Sequence, residues 1–151
     1  MNSALPRPDT PTRAAAWYLR VALALSFAVS LADRFGVFGP YGAKGVSWGN
    51  WSVFMAFSAK LTFWMPTLLR PAAAWISTVA EVVLGLGLLI PVWTSRAAAA
   101  TGVLLALYAA SLAGSYGWAA PFDYSVWTAS GAAFYLAAVT RRATPGNHQL
   151  K

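Results

Sequence analysis

Residues 72–93 read AAAWISTVAEVVLGLGLLIPVW, with Pro71 just before the run and Pro91 close to its end. Its one ionisable residue is Glu81. About 20 predominantly apolar residues are enough for a helix to cross the hydrocarbon core of a bilayer. The run therefore predicts a transmembrane helix with a carboxyl about halfway along it. Gly85 and Gly87 follow on the same helix, where small residues let a neighbouring helix approach closely; a lone Gly-X-Gly inside an apolar run is no nucleotide motif.

Outward from this helix, three more runs have the same character. Residues 14–32 form the first, interrupted near its start by Arg20, which is placed to snorkel toward an interface. Residues 97–116 and 122–139 form the third and fourth, the latter closed by Arg141 and Arg142. The connections between the last three runs are short, which makes consecutive helices antiparallel neighbours. Between the first two runs, Gly36, Gly39, Gly42, Gly45 and Gly49 break any helix up to Asn50. A helical period returns over 51–69, with Phe54, Phe57, Leu61, Trp64, Met65 and Leu68 on one face and Pro66 near the end. That pattern predicts an amphipathic segment lying in, or dipping into, the interface. The expected fold is all-α: an integral membrane four-helix bundle over 14–140, with an interfacial amphipathic helix in its first loop. Residues 1–13 are expected to be a disordered leader and 141–151 a polar tail. A competing reading makes the first run a cleaved signal peptide, with Val21 to Val29 as its apolar region and Ser30-Leu31-Ala32 as the cleavage site.

Composition agrees with a lipid-covered surface. Hydrophobic residues make up 58% of the 151 residues and charged residues 10%, against roughly 25% charged in soluble domains. The net charge of +7 is spread over basic residues near the ends of the apolar runs. It forms no stripe of the kind that binds nucleic acid. Counting positive charge on the two sides places Arg7, Arg13, Arg96, Arg141, Arg142 and Lys151 inside, so both termini are expected in the cytoplasm. Cysteine is absent and His148, in the polar tail, is the only histidine. These counts exclude disulfides, thiolate chemistry and Cys-ligated metals. No phosphate loop or metal-ligand spacing occurs, and no cofactor is identifiable from the residues.

The few polar residues inside the spans carry the functional expectation, because ionisable groups at membrane depth are costly and normally face a bundle interior. Glu81 must be protonated or paired, and Thr78 shares its face. Asp33 ends the first span below Ser26 and Ser30. Asp123 opens the fourth, with Trp127 and Ser130 on its face. Tyr108, Ser111 and Ser115 share a face of the third. If these stripes converge, the candidate site comprises Glu81, Thr78, Asp33, Asp123, Ser30, Tyr108 and Ser111, with Arg34 or Arg70 at its mouth. Serine stripes also occur simply to bond backbone carbonyls, and Asp123 also suits a helix cap. The aromatics Trp48, Trp51 and Trp64 offer a surface for a partner.

Several of these segments together resemble the DoxX family of small bacterial membrane proteins. They are the first-span ending Leu31-Ala32-Asp33-Arg34-Phe35-Gly36, the aromatic segment after it, and the run from Thr78 to Leu89. Arg96 at the head of the third span completes the pattern. The likeness extends over about 14–140, and this chain differs in its long Gly- and Trp-rich first loop. The resemblance implies a multi-pass protein of a bacterial-type inner membrane. Some members are similar to the small subunit of thiosulfate:quinone oxidoreductase, and others are linked to redox or oxidative-stress complexes. Glu81 corresponds to the family's acidic position in the second span and Arg96 to its basic position before the third. On this basis the expected function is an accessory or quinone-linked subunit of a membrane redox complex. The intramembrane carboxyl alone also suits a small proton-coupled transporter, and the aromatic loop a non-catalytic scaffold for a periplasmic partner.

Overall fold

A computed structural model of the protein describes residues 10–142, and all regular structure among them is helical. The helices are α1 (Thr10–Arg34), α2 (Trp51–Leu61), α3 (Arg70–Leu89), α4 (Thr94–Tyr116), α5 (Ala120–Asp123) and α6 (Val126–Arg142). Three of them, α1, α3 with the short 3-10 turn before it, and α4, are long and apolar enough to cross a membrane. The described residues are therefore all-helical with three candidate spans. Helix α1 already begins at Thr10, inside the stretch expected to be a leader; the rest of that leader, and the tail beyond Arg142 with His148 and Lys151, lie outside the described residues.

Helix α3 follows the reading of its sequence closely. Pro71 sits in its first turn, where its missing N–H would be unpaired in any case. Pro91 follows its end, and the last carbonyls of the helix need other donors. Arg20 supplies them: its Nε donates to the Leu88 carbonyl and its Nη2 to that of Leu89, both at 2.8 Å. Thr94 Oγ1 donates to the Ile90 carbonyl at 2.9 Å. Arg20 is thus buried within the protein at the end of α3. A cation at the C-terminal end of a helix is favoured by the helix dipole. The two glycines of α3 face different neighbours, Gly85 against Phe27 of α1 and Gly87 against Ala97 of α4.

The core joins α1, α3, α4 and α6 through Leu23, Ala24, Phe27, Leu88, Ala98, Ala133 and Leu136. Its abundance of alanine lets helices approach closely, the usual solution where lipid supplies no hydrophobic drive between helices. Ser95 of α4 donates to the Ala137 carbonyl of α6 at 3.0 Å, so the start of α4 lies beside the end of α6.

The predicted fourth run, 122–139, differs from the structure. Gly117 ends α4 with φ 96°, and Pro121 then starts the short helix α5. Ser125, at φ 54°, breaks the chain again before α6. Helix α6 has 17 residues, a length of about 25 Å, and is not among the three long enough to span.

The first loop has no helix from Phe35 to Asn50. Asn50 then caps α2 by accepting from the Val53 N–H at 2.9 Å. The helix stops at Leu61, earlier than the periodicity over 51–69 suggests. Pro66 has no N–H to bond the Thr62 carbonyl and disfavours helical conformation at Met65, and beyond the helix end Trp64 and Leu68 are exposed. Gly49 is the tightest point of the loop. Its φ is +65°, and a Cβ there would run into the backbone nitrogen of Tyr41 and lie 2.6 Å from the carbonyl carbon of Pro40. Gly42, at φ +91°, has open space around it. Gly49→Ala is therefore expected to destabilise by about 2 kcal/mol and Gly42→Ala by about 1 kcal/mol, the conformational term alone. Thermal unfolding of both variants in one detergent checks the order, and equal midpoints would contradict it.

Candidate functional site

The side chain of Glu81 is 1% exposed, and Arg34 of α1 pairs with it at 2.6 Å. Arg34 Nη2 donates to Oε1 at 2.6 Å and to Oε2 at 2.7 Å, and also reaches Ser30 Oγ at 3.1 Å. Arg34 Nη1 donates to Thr78 Oγ1 at 2.8 Å, and Thr78 in turn donates to the Ala74 carbonyl. From α4, the Tyr108 hydroxyl donates to Glu81 Oε1 at 2.8 Å. One carboxylate thus ties three helices together. The alternative left open for Glu81 resolves to pairing. The spacing explains the partners: Ser30 lies four residues before Arg34, and Thr78 three before Glu81, so each pair shares a helical face.

Aromatic rings from the first loop and α2 close this cluster. The Phe54 ring centroid lies 3.9 Å from Arg34 Cζ and that of Trp48 lies 5.4 Å away. Both distances suit attraction between a cation and a ring face, which strengthens when water is excluded. Asp33 fixes the loop in this position. Its Oδ2 accepts the backbone N–H of Ser47 at 2.9 Å and of Trp48 at 3.1 Å, and its Oδ1 accepts that of Gly49 at 3.2 Å. Asp33 and Arg34 therefore act in opposite directions, one on the loop and the other on α3.

The structure brings Glu81, Thr78, Ser30, Tyr108 and Arg34 together out of the predicted set. It keeps the others apart. Asp33 is buried in the loop contact and does not touch Glu81. Asp123 is exposed at the end of α5 and neither opens nor caps a long helix, because the left-handed Ser125 separates it from α6. The carbonyl of Ser111 accepts from Ser115, which also donates to the Lys60 carbonyl. Ser26 bonds within its own helix. Ser130 of α6 donates to the Gly102 carbonyl, a helix-to-helix tie. Arg70 donates to the carbonyls of Phe63 and Met65, away from the cluster. Arg96 is exposed at the start of α4, twelve residues and about 18 Å along the helix from Tyr108. Two of the tryptophans assigned to a partner surface are turned inward: Trp48 covers Arg34, and Trp51 packs on Trp75 at 4.2 Å and on Phe35 at 5.6 Å. Only Trp64, 65% exposed, faces outward. Two residues escaped sequence reasoning. Phe54 looked like any residue of an apolar face, and Arg20 acts across 68 positions of sequence, where periodicity carries no signal.

Beside the cluster, α3 and α4 form an open groove of about 830 Å³. Its lining is apolar and includes Trp75, Ala80, Leu84, Leu104 and Leu107. Ala80 and Leu84 flank Glu81 in sequence and Leu107 immediately precedes Tyr108, so the groove runs along the neighbours of the pair, while Glu81 and Tyr108 themselves are not part of its lining. Among the described residues no group of three or more His, Asp or Glu is placed to hold a metal ion. Comparison with protein-family models, curated proteins and solved structures finds no match for this chain.

Proposed function

We propose that the protein is a DoxX-like, four-helix integral membrane protein that serves as an accessory, quinone-linked subunit of a membrane redox complex. In this reading α6 joins the three longer helices as a short fourth span, both termini are cytoplasmic, and the membrane is a bacterial-type inner membrane. Helix α1 is retained, since cleavage after Ala32 would strip Leu23, Ala24 and Phe27 from the core and Arg20 from the end of α3. The observation that carries the functional part is a buried hydroxyl–carboxylate pair, Tyr108 and Glu81, beside an apolar groove. A lipid-soluble quinone has an apolar ring and tail suited to that groove and carbonyl oxygens that accept hydrogen bonds. The Tyr108 hydroxyl follows Leu107 of the groove wall, and its one proton is donated to Glu81 in a charge-assisted bond, so a quinone carbonyl would take that proton over from the carboxylate. The chain offers no redox centre in its own residues, so electrons come from a partner.

Trp75 lines the groove, which gives a direct test. Titration of the purified protein with a short-chain ubiquinone is expected to quench tryptophan fluorescence saturably, and Trp75→Phe to remove most of the saturable part. Tyr108→Phe is expected to weaken binding about fivefold, the worth of one hydrogen bond. Quenching that stays linear in quinone and unchanged in Trp75→Phe would remove the quinone from this reading.

A further inference from the structure

We infer that the cleft between the start of α1 and the end of α6 is a binding site for the phosphate headgroup of an anionic phospholipid. The cleft is separate from the Glu81 cluster and has a volume of about 190 Å³. Arg13, Arg20 and Thr140 give it a polar side, and Ala16, Trp17 and Val139 an apolar one.

Arg20 is held in place before any ligand arrives. Its Nε and Nη2 are bound to the Leu88 and Leu89 carbonyls, and its Cζ lies 4.0 Å from the centre of a Trp17 ring. The remaining nitrogen, Nη1, makes no hydrogen bond among the described residues. The guanidinium is therefore oriented by its neighbours with donors left over, and little rotamer freedom is lost when an anion binds. Arg13, on the exposed face of α1, supplies a second positive charge to the same cleft.

The surroundings select for negative charge. Arg96 and Arg141 lie exposed at this end of the molecule, since the start of α4 is tied to the end of α6. The acids among the described residues are elsewhere: Asp33 in the first-loop contact, Glu81 with Arg34, and Asp123 at the end of α5. Two features distinguish a lipid from a free anion. The cleft has an apolar wall along which acyl chains can leave into the hydrocarbon. Trp17, 51% exposed, stands at its edge, and tryptophan favours the headgroup level. Basic pockets between membrane helices hold anionic headgroups by this combination of fixed charge and apolar exit.

Native mass spectrometry of the full-length protein in mild detergent, titrated with phosphatidylglycerol or phosphatidylcholine of the same acyl chains, tests the site. Phosphatidylglycerol is expected to be retained roughly tenfold better, and Arg13→Gln to reduce that preference about fivefold. Ala16→Trp, which fills the cleft and leaves every charge in place, is expected to abolish the preferred lipid. Arg96→Gln removes a charge at the same end but outside the cleft and is expected to leave the preference within about twofold of wild type. Equal retention of the two lipids overturns the proposal. So does an equal loss in Arg13→Gln and Arg96→Gln, which would assign the preference to overall charge. Displacement of phosphatidylglycerol by millimolar inorganic phosphate at constant ionic strength overturns the lipid assignment in favour of a free anion. Should Ala16→Trp fail to fold, the two exposed arginine variants decide the matter alone.

Discussion

Arg34→Leu is expected to lower the stability of the folded protein by about 3–5 kcal/mol, a fall of roughly 10 °C in the unfolding midpoint. The size comes from what the substitution leaves behind. Glu81 is 1% exposed and would keep only the Tyr108 hydroxyl as a partner. A carboxylate in that position must either stay charged without its cation or take up a proton, and both are costly. Thr78 and Ser30 lose a donor at the same time. The double variant Arg34→Leu with Glu81→Leu should recover much of the loss, because two apolar side chains replace a pair whose desolvation already offsets much of its attraction. Glu81→Gln should fall between the two, since an amide oxygen can still accept from Arg34 but leaves the guanidinium uncompensated. Thermal unfolding of wild type, Arg34→Leu, Glu81→Leu and the double variant in one mild detergent gives the coupling between the residues directly. Additive losses in the double variant would show that the pair does not act as a unit.

The parts of this cluster that the sequence discloses are those set by local periodicity. Thr78 and Glu81 are three residues apart, Ser30 and Arg34 four, and helical geometry then places each pair on one face. The mid-run position of Glu81 demands a partner, and few residues could supply it. Adjacent residues point in different directions, however, and there periodicity misleads. Asp33 is three residues from Ser30 and Arg34 four, and it is Arg34 that meets the Ser30 hydroxyl. Asp33 is rotated away from it toward the loop. What periodicity cannot disclose is contact between distant elements. The path of Phe35 to Asn50 depends on three backbone N–H groups finding one carboxylate, which leaves no pattern in the side chains of the loop. The inward turn of Trp48 and the seat of Phe54 over Arg34 follow from that path. The three long helices were legible because apolar length is itself the signal. In the fourth run the start of the helix is not legible, because hydropathy continues through Tyr124 and Ser125 although the helical backbone does not.

Asp33→Ala is expected to cost about 3 kcal/mol, and most of its effect should appear in the first loop. The carboxylate accepts from Ser47, Trp48 and Gly49, and hydrogen bonds to a charged group are individually worth about 1.5–3 kcal/mol when nothing replaces them. The Gly49 amide is buried with its acceptor and is left unpaired, while those of Ser47 and Trp48, only partly buried, can recover some hydration. The full sum is therefore not reached. Asp33→Asn should be milder, because one carbonyl oxygen can still accept two of the bonds. Hydrogen–deuterium exchange separates this from a general loss of stability. The amides of Ser47, Trp48 and Gly49 should exchange far faster in Asp33→Ala, while those of α4 and α6, which share no contact with Asp33, should slow or quicken only with the global change. Uniform acceleration across the chain would mean that Asp33 supports the whole fold and not the loop alone. A local effect carries a further consequence for the cluster. Trp48 is held over Arg34 by this loop together with ring contacts to Phe54 and Phe57 of α2, so loosening the loop opens one side of the Arg34–Glu81 pair to water and weakens the attraction that burial had strengthened. The coupling measured between Arg34 and Glu81 should then shrink in an Asp33→Ala background, although Asp33 touches neither residue's partner oxygen.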